Sequence, residues 1–441
     1  MRSQPQFLVE TERPQVLKTR RALRPERQRG DVCLRGSWKN RAHNRRPGLV
    51  TVLMIVLLGA LSGRTAAQGL RDYAYADSLS AALLAQGRWA ALDSVGRAAE
   101  ALGTDYPALR RRRGAGALAQ GRPAAALRHY GAALRQNPVD TAACYGAVQA
   151  YLALNQPGPA RLLARALPDS ARGRLHLEAF RAVAQVEAEG SAQFTSNRHR
   201  GTAGYGRLGL GSRLGPRLLL TQNLSYYGQQ VELPNPDRPG SDETTNLRQT
   251  QYHALLTSQL GPRWQAKAAY HYLSGHLGRL AAPGRLGYLA VAYARPYWAA
   301  QAGAYAGTLA DTARRQYDLR LTVYPLGNLR LYAYGRASAV HAAGGRTYPN
   351  GLLGAGGQLR PRLWAEAYAS WGQVPVLAEL DGAYVYNLLD PLCRRAAASV
   401  LILLPPRLLL RLAAGAEERR DLVSGQPYAL YSLTSALSWT W

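Results

Sequence analysis

Several residue types are scarce in this chain of 441 residues: there are 3 Phe, 2 Met and 3 Cys, and very little lysine. The cysteines, Cys33, Cys144 and Cys393, stand alone. They make neither a spaced disulfide framework nor a metal-ligand pattern, so no cofactor or metal is expected. No apolar run approaches the roughly 20 residues of a membrane-spanning helix. Acid is short as well: 27 Asp and Glu face 55 Lys and Arg, a net charge of +28. The arginines are spread along the whole chain and belong to no recognisable nucleic-acid module. They are read as a compositional bias, with no nucleic-acid partner. What is abundant instead is the amphipathic aromatic: 26 Tyr and 8 Trp. These side chains suit a surface that is wet at one end and oily at the other.

The N-terminus reads as a targeting segment. Residues 1 to 44 are Arg-rich and without periodicity. Arg45 and Arg46 then precede an apolar run, Leu49 to Leu61, followed by Thr65-Ala66-Ala67-Gln68. A positive stretch, a short apolar run and small residues at the cut make a secretory signal peptide, with cleavage expected near Ala67. Residues 1–67 are therefore set apart as extension plus signal peptide. The long positive stretch is read as a translation start assigned too far upstream.

Residues 70–187 are Ala- and Leu-rich and repeat with a period of 34. Leu84-Ala85-Gln86-Gly87-Arg88 recurs as Leu118-Ala119-Gln120-Gly121-Arg122 and again as Leu152-Ala153-Leu154-Asn155-Gln156. That period is the tetratricopeptide signature, a stack of helix pairs. The packing positions of the middle unit are Gly114, Ala126, Tyr130, Ala133 and Pro138, and Gly87 and Gly121, 34 residues apart, are counted with them as repeat-packing residues. Helix is expected to continue through residues 171–187 and to end at Glu187-Ala188-Glu189-Gly190. The run Arg110 to Arg113 is read as a solvated helix face, with an anion site as the sharper option. The stack is expected either to dock a periplasmic partner or to serve as a spacer or plug.

From residue 188 to 441 the period becomes two. The last residues are the clearest: Ala429, Tyr431, Leu433, Ser435, Leu437, Trp439 and Trp441 fall on one face, and Leu430, Ser432, Thr434, Ala436, Ser438 and Thr440 on the other. An apolar, aromatic strand of this kind suits the seam of a closed transmembrane barrel. Tyr431, Leu433, Leu437, Trp439 and Trp441 are taken as the barrel-closing signal that assembly machinery reads. Short turns such as Gly261-Pro262-Arg263 and Arg360-Pro361-Arg362 alternate with long segments expected to be external loops: 233–246, 274–285, 341–350, 374–391 and 418–427. Ala383 to Leu388 within the fourth has strand character of its own. The count is about fourteen antiparallel strands. The fold expected is thus an all-β transmembrane barrel preceded by an all-α tetratricopeptide-like domain.

An Arg or Lys on the lipid face near mid-membrane costs about 2–4 kcal/mol, so charged strand residues are expected to point inward. The candidates for the lumen are Arg207, Lys267, Arg320, Arg330, Arg336 and Arg411, with Asp318, Glu366 and Glu417. They make either a basic passage for anionic solutes or a set of ion pairs that fills the barrel. Gly204-x-Gly206-x-x-Gly209 imitates a dinucleotide fingerprint but lies in an alternating strand, where it reads as close packing. Ser274-Gly275-His276 sets a hydroxyl near an imidazole without a G-x-S-x-G elbow, so no enzyme is expected.

The signal peptide, the 34-residue repeat around Gly121 to Pro138, the strand rhythm and the closing Ser438-Trp439-Thr440-Trp441 together resemble the YaiO family of outer-membrane β-barrel proteins, in its form with N-terminal repeats. The resemblance implies an outer-membrane location in a Gram-negative cell and carries no catalytic residues. The layout also looks like that of exopolysaccharide export porins, although its repeat array is much shorter. The expected function is passage or export of a polar or anionic glycan or solute, with the repeats docking a periplasmic protein. The alternative is a non-conducting surface or scaffold protein with a filled barrel, working through external residues such as Asp237, Asp242 and Glu243.

Overall fold

The computed structural model describes residues 69–235, 241–309, 312–386, 390–405 and 407–441. The extension and signal segment, and Asp237, lie outside the described residues. Seven helices come first among the described residues: α1 (Tyr73–Ala85), α2 (Trp89–Ala101), α3 (Pro107–Ala119), α4 (Pro123–Gln136), α5 (Thr141–Ala153), α6 (Pro157–Ala164) and α7 (Asp169–Arg174). The 34-residue period has a backbone cause. Gly87, Gly121 and Asn155, at the turns inside the three helix pairs, take φ of 68°, 69° and 54°. After each, an amide bonds back five residues: Arg88 to the Leu83 carbonyl, Arg122 to Ala117 and Gln156 to Tyr151. This is the Schellman ending, whose left-handed residue is most often Gly and sometimes Asn. Pro123 and Pro157 then open the next helices, where their missing N–H costs nothing.

The middle unit packs around Tyr130. Its ring lies against Gly114 and Gly146, and a Cβ on Gly114 would stand 2.9 Å from it. Ala126 and Ala133 on the same helix are fully buried, and Pro138 lies in the turn before α5. The four arginines of α3 are neither a solvated face nor an open anion site. Arg110 pairs with Glu100 and Asp105, Arg111 with Asp140, Arg112 with Asp77, and Arg113 with Asp93 and Glu100. Consecutive residues on a helix point about 100° apart, so one run of arginine reaches four neighbouring segments and ties them together. Hydrogen bonds from Arg110 hold the Glu100 and Asp105 carboxyls below the usual range. Burial, with the positive field of Arg113 and Arg110, pushes the His129 imidazole down to about 4.

Sixteen strands follow among the described residues: β1 (Arg181–Thr195), β2 (Arg200–Arg213), β3 (Leu218–Pro234), β4 (Asp242–Gln259), β5 (Trp264–Leu277), β6 (Leu280–Ala294), β7 (Trp298–Leu309), β8 (Thr312–Val323), β9 (Leu331–Ala342), β10 (Thr347–Arg360), β11 (Leu363–Val374), β12 (Leu377–Glu379), β13 (Tyr384–Tyr386), β14 (Leu392–Leu404), β15 (Leu408–Arg420) and β16 (Pro427–Thr440). All but β12 and β13 form one closed antiparallel barrel of fourteen strands. The seam joins β1 to β16, from Gln185 opposite Thr440 to Thr195 opposite Leu430. Closure excludes an open sandwich.

Two expectations need correction. Helix does not run through 171–187: it stops at Arg174, and β1 starts at Arg181. The apolar residues there, Val183 and Val186, also fit a strand, and the pairing of Val186 with Leu210 of β2 and Trp439 of β16 settles the choice. The long external loops are mostly strand as well. β3 and β4 pair as far as Pro234 opposite Asp242, and β5 and β6 as far as Leu277 opposite Leu280. Their polar alternation signals hairpins that continue past the apolar band. Among the described residues the long connection is the one after β11, and it holds the hairpin β12–β13.

The outward face is apolar: Leu208, Leu224, Leu289, Val291, Leu319, Leu353 and Leu433 are exposed. Exposed Trp264, Tyr297, Trp298, Trp439 and Trp441 ring the end nearest the helices. The closing residues Tyr431, Leu433, Leu437, Trp439 and Trp441 all face outward. The helices meet barrel turns at this same end. Asn328 Nδ2 donates to the Gly121 carbonyl (3.4 Å), Gln156 Nε2 to Arg295 (3.3 Å), and Arg213 Nη1 to His176 (2.8 Å).

Overpacking Tyr130 with Gly146→Ala is expected to destabilise the helical unit by about 1–3 kcal/mol. Limited proteolysis should then cut within residues 107–153 while the barrel keeps its heat-dependent gel shift. Acid should act on the same unit in two stages. The lowered His129 stays neutral when folded, so its contribution is present above an unfolded value near 6.5 and is lost between about 6.5 and 4. The Glu100 and Asp105 contributions are present above about 4 and are lost as pH falls further. Proteolysis across a pH series should show both declines, with His129→Gln removing the first.

Candidate functional site: the lumen and its inserted hairpin

Alternation brings the charged strand residues inside. Arg207, Lys267, Arg336, Arg411, Glu366 and Glu417 are buried in the lumen, and Asp318 and Arg320 share the inward face of β8 with Gln316. Arg330 is placed differently. It is exposed in the turn before β9, with its guanidinium beside Gly121, at the junction with the helices.

Residues that sequence reasoning missed complete the site. Glu187 and Glu189, taken as the end of a helix, point from β1 into the lumen. Arg207 bonds Glu187 at 2.5 Å and Glu189 at 3.1 Å, and Arg411 bonds Glu189 at 2.5 Å. Near the far end, Arg200 holds Asp390 (2.8 Å) and Asp421 (2.9 Å), and Arg419 holds Glu417 (2.8 Å). Glu366 accepts hydrogen bonds from Tyr332 (2.7 Å) and Tyr334 (2.9 Å). The basic lumen is therefore matched by acids, as buried charge requires.

The larger omission is the segment after β11. Instead of reaching outward, β12, β13 and the turn between them enter the lumen from the end opposite the helices. Leu377 and Glu379 are fully buried, and Asp381 and Tyr384 nearly so. Leu377, Leu380 and Tyr384 pack against Tyr205, Tyr227, Val231, Leu247 and Val340. Glu379 Oε1 accepts from both Arg336 and Arg395, the latter at 2.8 Å. Asp381 receives Lys267 (2.8 Å), Tyr288 (2.6 Å) and Gln301 (2.8 Å). The hairpin backbone is gripped too. The Asp381 and Gly382 carbonyls lie 3.1 and 2.7 Å from the His253 and His271 rings. Gln316 bonds both the carbonyl (2.7 Å) and the amide (2.9 Å) of Ala378. Tyr384 donates to Glu189 at 3.0 Å. The turn itself is held in an uncommon conformation, with Leu380, Asp381 and Gly382 at φ of 53°, 56° and 91°. For non-glycine residues such values cost of order 1–3 kcal/mol and persist only where surroundings enforce them. A signal for this insertion was present: Val376-Leu377-Ala378-Glu379 and Tyr384-Val385-Tyr386 are too apolar for a solvated loop.

Other constellations do not assemble a site. Ser274 and His276 lie two apart on β5, on its outward side. Gly209 faces the lumen, where a Cβ would meet Asn223 Oδ1 at 2.7 Å, so its role is close packing. At the far rim His199 Nδ1 lies 3.0 Å from Glu232 and 3.2 Å from Asp242. Arg198 donates to the other ring nitrogen, which leaves Nδ1 carrying a hydrogen rather than a lone pair for a metal. Concavities of about 900 and 590 Å³ lie on the outward face, bounded mainly by small side chains such as Gly190, Ala398, Ala414 and Ser435. Backbone and stem atoms of Glu366 border the first, and those of Glu189 and Arg207 the second.

Residues 117–185 match the tetratricopeptide repeat family, in keeping with the helix pairs described above. No curated protein matches the chain in sequence. Among solved structures it is similar to the Pseudomonas putida toluene transporter TodX (10% identity, 59% of this chain and 89% of that one, TM-score 0.43). It is also similar to a Pseudomonas aeruginosa FadL homologue (10%, 66% and 94%, TM-score 0.40) and to a bacterial polysaccharide outer membrane secretin (11%, 59% and 99%, TM-score 0.38). Likeness at this level says nothing of what crosses or binds this chain.

Removing Glu189 by Glu189→Ala leaves Arg207 and Arg411 without the carboxylate they share. A loss of about 3–5 kcal/mol is expected for breaking such a buried pair, read as a lower urea midpoint for the heat-modifiable form. Glu187→Ala should cost less, because Arg207 keeps Glu189.

Proposed function

We propose that this chain is a gated outer-membrane barrel for a polar, anionic glycan or solute, shut in the state described by the 375–391 segment. The observation that carries this reading is the pairing of Glu379 and Asp381 with strand cations inside the lumen. A fourteen-stranded barrel is wider than the eight-stranded kind that side chains alone fill, and here a hairpin supplies the missing filling. When the hairpin leaves, two carboxylates leave with it and the wall around Arg336, Arg395 and Lys267 becomes more basic. That supports passage of an anion. The location is supported by closure, the apolar outward band and the aromatic ring. The outward residues of β16 are the part that assembly machinery and lipid would meet.

The helices sit against the turns of the opposite mouth, and that end would face the periplasm after export. The repeats would receive a partner protein there, on the surface not used against the barrel. A second reading, a permanently filled barrel acting as scaffold, is favoured by the density of buried ion pairs.

Conductance separates the two. The full mature chain in planar bilayers should stay closed or open rarely. A variant in which 376–386 is replaced by a short Gly-Ser linker should conduct salt steadily. A linker variant that is heat-modifiable yet silent would exclude passage and leave the scaffold.

A further inference from the structure

The seat of Glu379 is asymmetric. One carboxylate oxygen, Oε1, accepts from both Arg336 and Arg395. The other, Oε2, is buried without a hydrogen-bond partner, and so are Arg336 Nε and the hydroxyl of Ser370. Ser370 stands opposite Arg395 in the β11–β14 ladder. Unmade hydrogen bonds of buried polar groups are costly, most of all for charged groups. The hairpin thus sits on the guanidinium groups of Arg336 and Arg395 through one oxygen only, while its own turn is held at left-handed φ.

We propose that Arg336 and Arg395, with Ser370, form the binding site for a uronic-acid carboxylate of an acidic oligosaccharide, and that Glu379 is a built-in competitor for it. The inference rests on the gated-barrel reading and adds the ligand's chemistry. A bidentate carboxylate is the natural partner of guanidinium. The hydroxyls beside it on a sugar ring supply both donors and acceptors for groups such as Ser370. The neighbouring wall suits sugar faces: Tyr288 and Tyr305 stack at 4.3 Å, Tyr332 and Tyr334 at 6.5 Å, and Arg395 lies over the Tyr368 ring. Aromatic faces with polar tips bind rings that are apolar on one side and hydroxylated at the edge. A second contact follows from the hairpin itself. Asp381 sits two residues from Glu379 on Lys267, Tyr288 and Gln301, so a chain carrying successive carboxylates replaces both acids at once.

The test uses the full mature protein, with hexagalacturonate as probe and maltohexaose as its neutral control, in titration calorimetry. Folding is checked by heat-modifiability. The linker variant lacking 376–386 should bind hexagalacturonate at least about ten-fold tighter than the unaltered chain, since competition with the hairpin is removed. Adding Arg336→Gln and Arg395→Gln should abolish that binding while salt conductance persists. Glu379→Gln keeps the chain length and should also bind more tightly, although the linker variant should gain more. A linker variant that conducts but prefers neither sugar would overturn the carboxylate site and leave the gate intact. A folded linker variant that does not conduct would instead remove the gated-barrel reading. If the linker variant does not fold, Glu379→Gln decides, and no gain in hexagalacturonate affinity there overturns the proposal.

Discussion

Everything in this molecule depends on the seam between β1 and β16. A strand in hydrocarbon has no water to satisfy its amides, so a membrane sheet must close. Eleven successive residues of β1, Gln185 to Thr195, find partners on β16. That pairing takes residues 181–187 away from the helical domain. It also decides the direction of every side chain on β1: Val186, Ala188 and Phe194 go to the outside, and Glu187 and Glu189 to the lumen. A one-residue slip would exchange the two sets and put both glutamates on the apolar outward face.

Closure then creates the problem that the rest of the structure answers. A ring of fourteen strands gathers arginine from many of them into one low-dielectric space. Each positive charge there needs a negative partner, and the strands supply some: Glu187, Glu189 and Glu417. Others come from Asp390 and Asp421 at the far end and from the inserted hairpin. Glu379 and Asp381 bring negative charge to Arg336, Arg395 and Lys267, while Leu377, Leu380 and Tyr384 fill the space between tyrosines on the wall. The hairpin is therefore an electrostatic part of the barrel as well as a steric one. Its turn is held at left-handed φ, and one of its carboxylate oxygens has no hydrogen-bond partner.

The helical unit obeys a different logic. Its arginines also pair with acids, but at the surface between repeats, where they link neighbouring helices instead of filling a core. Its tie to the barrel is made through turn residues: Asn328 and Arg330 at Gly121, Arg295 at Gln156, and Arg213 at His176. Gly121 is thus used twice. It turns the chain between α3 and α4, and it lets the barrel turn come close.

Local pattern alone was enough for the repeat unit and the barrel as such. Gly87, Gly121 and Asn155 recur every 34 residues because each must take a positive φ, a constraint visible in one dimension. The two faces of β16 are likewise written in strict alternation, and so is the inward direction of Arg207, Lys267, Arg336, Arg411, Glu366 and Glu417. Tertiary structure decided the rest, because it depends on partners far away in sequence. Whether Val186 belongs to a helix or a strand was set by β16, some 250 residues on. Arg330 left the lumen because the helices hold the turn that carries it. The four arginines of α3 look solvated until Asp77, Asp93, Glu100, Asp105 and Asp140 are brought to them. The segment 375–391 looks like a loop because burial inside a barrel leaves no period in a short hairpin. Only the closed ring around it shows that its acids were placed for Arg336, Arg395 and Lys267 on other strands.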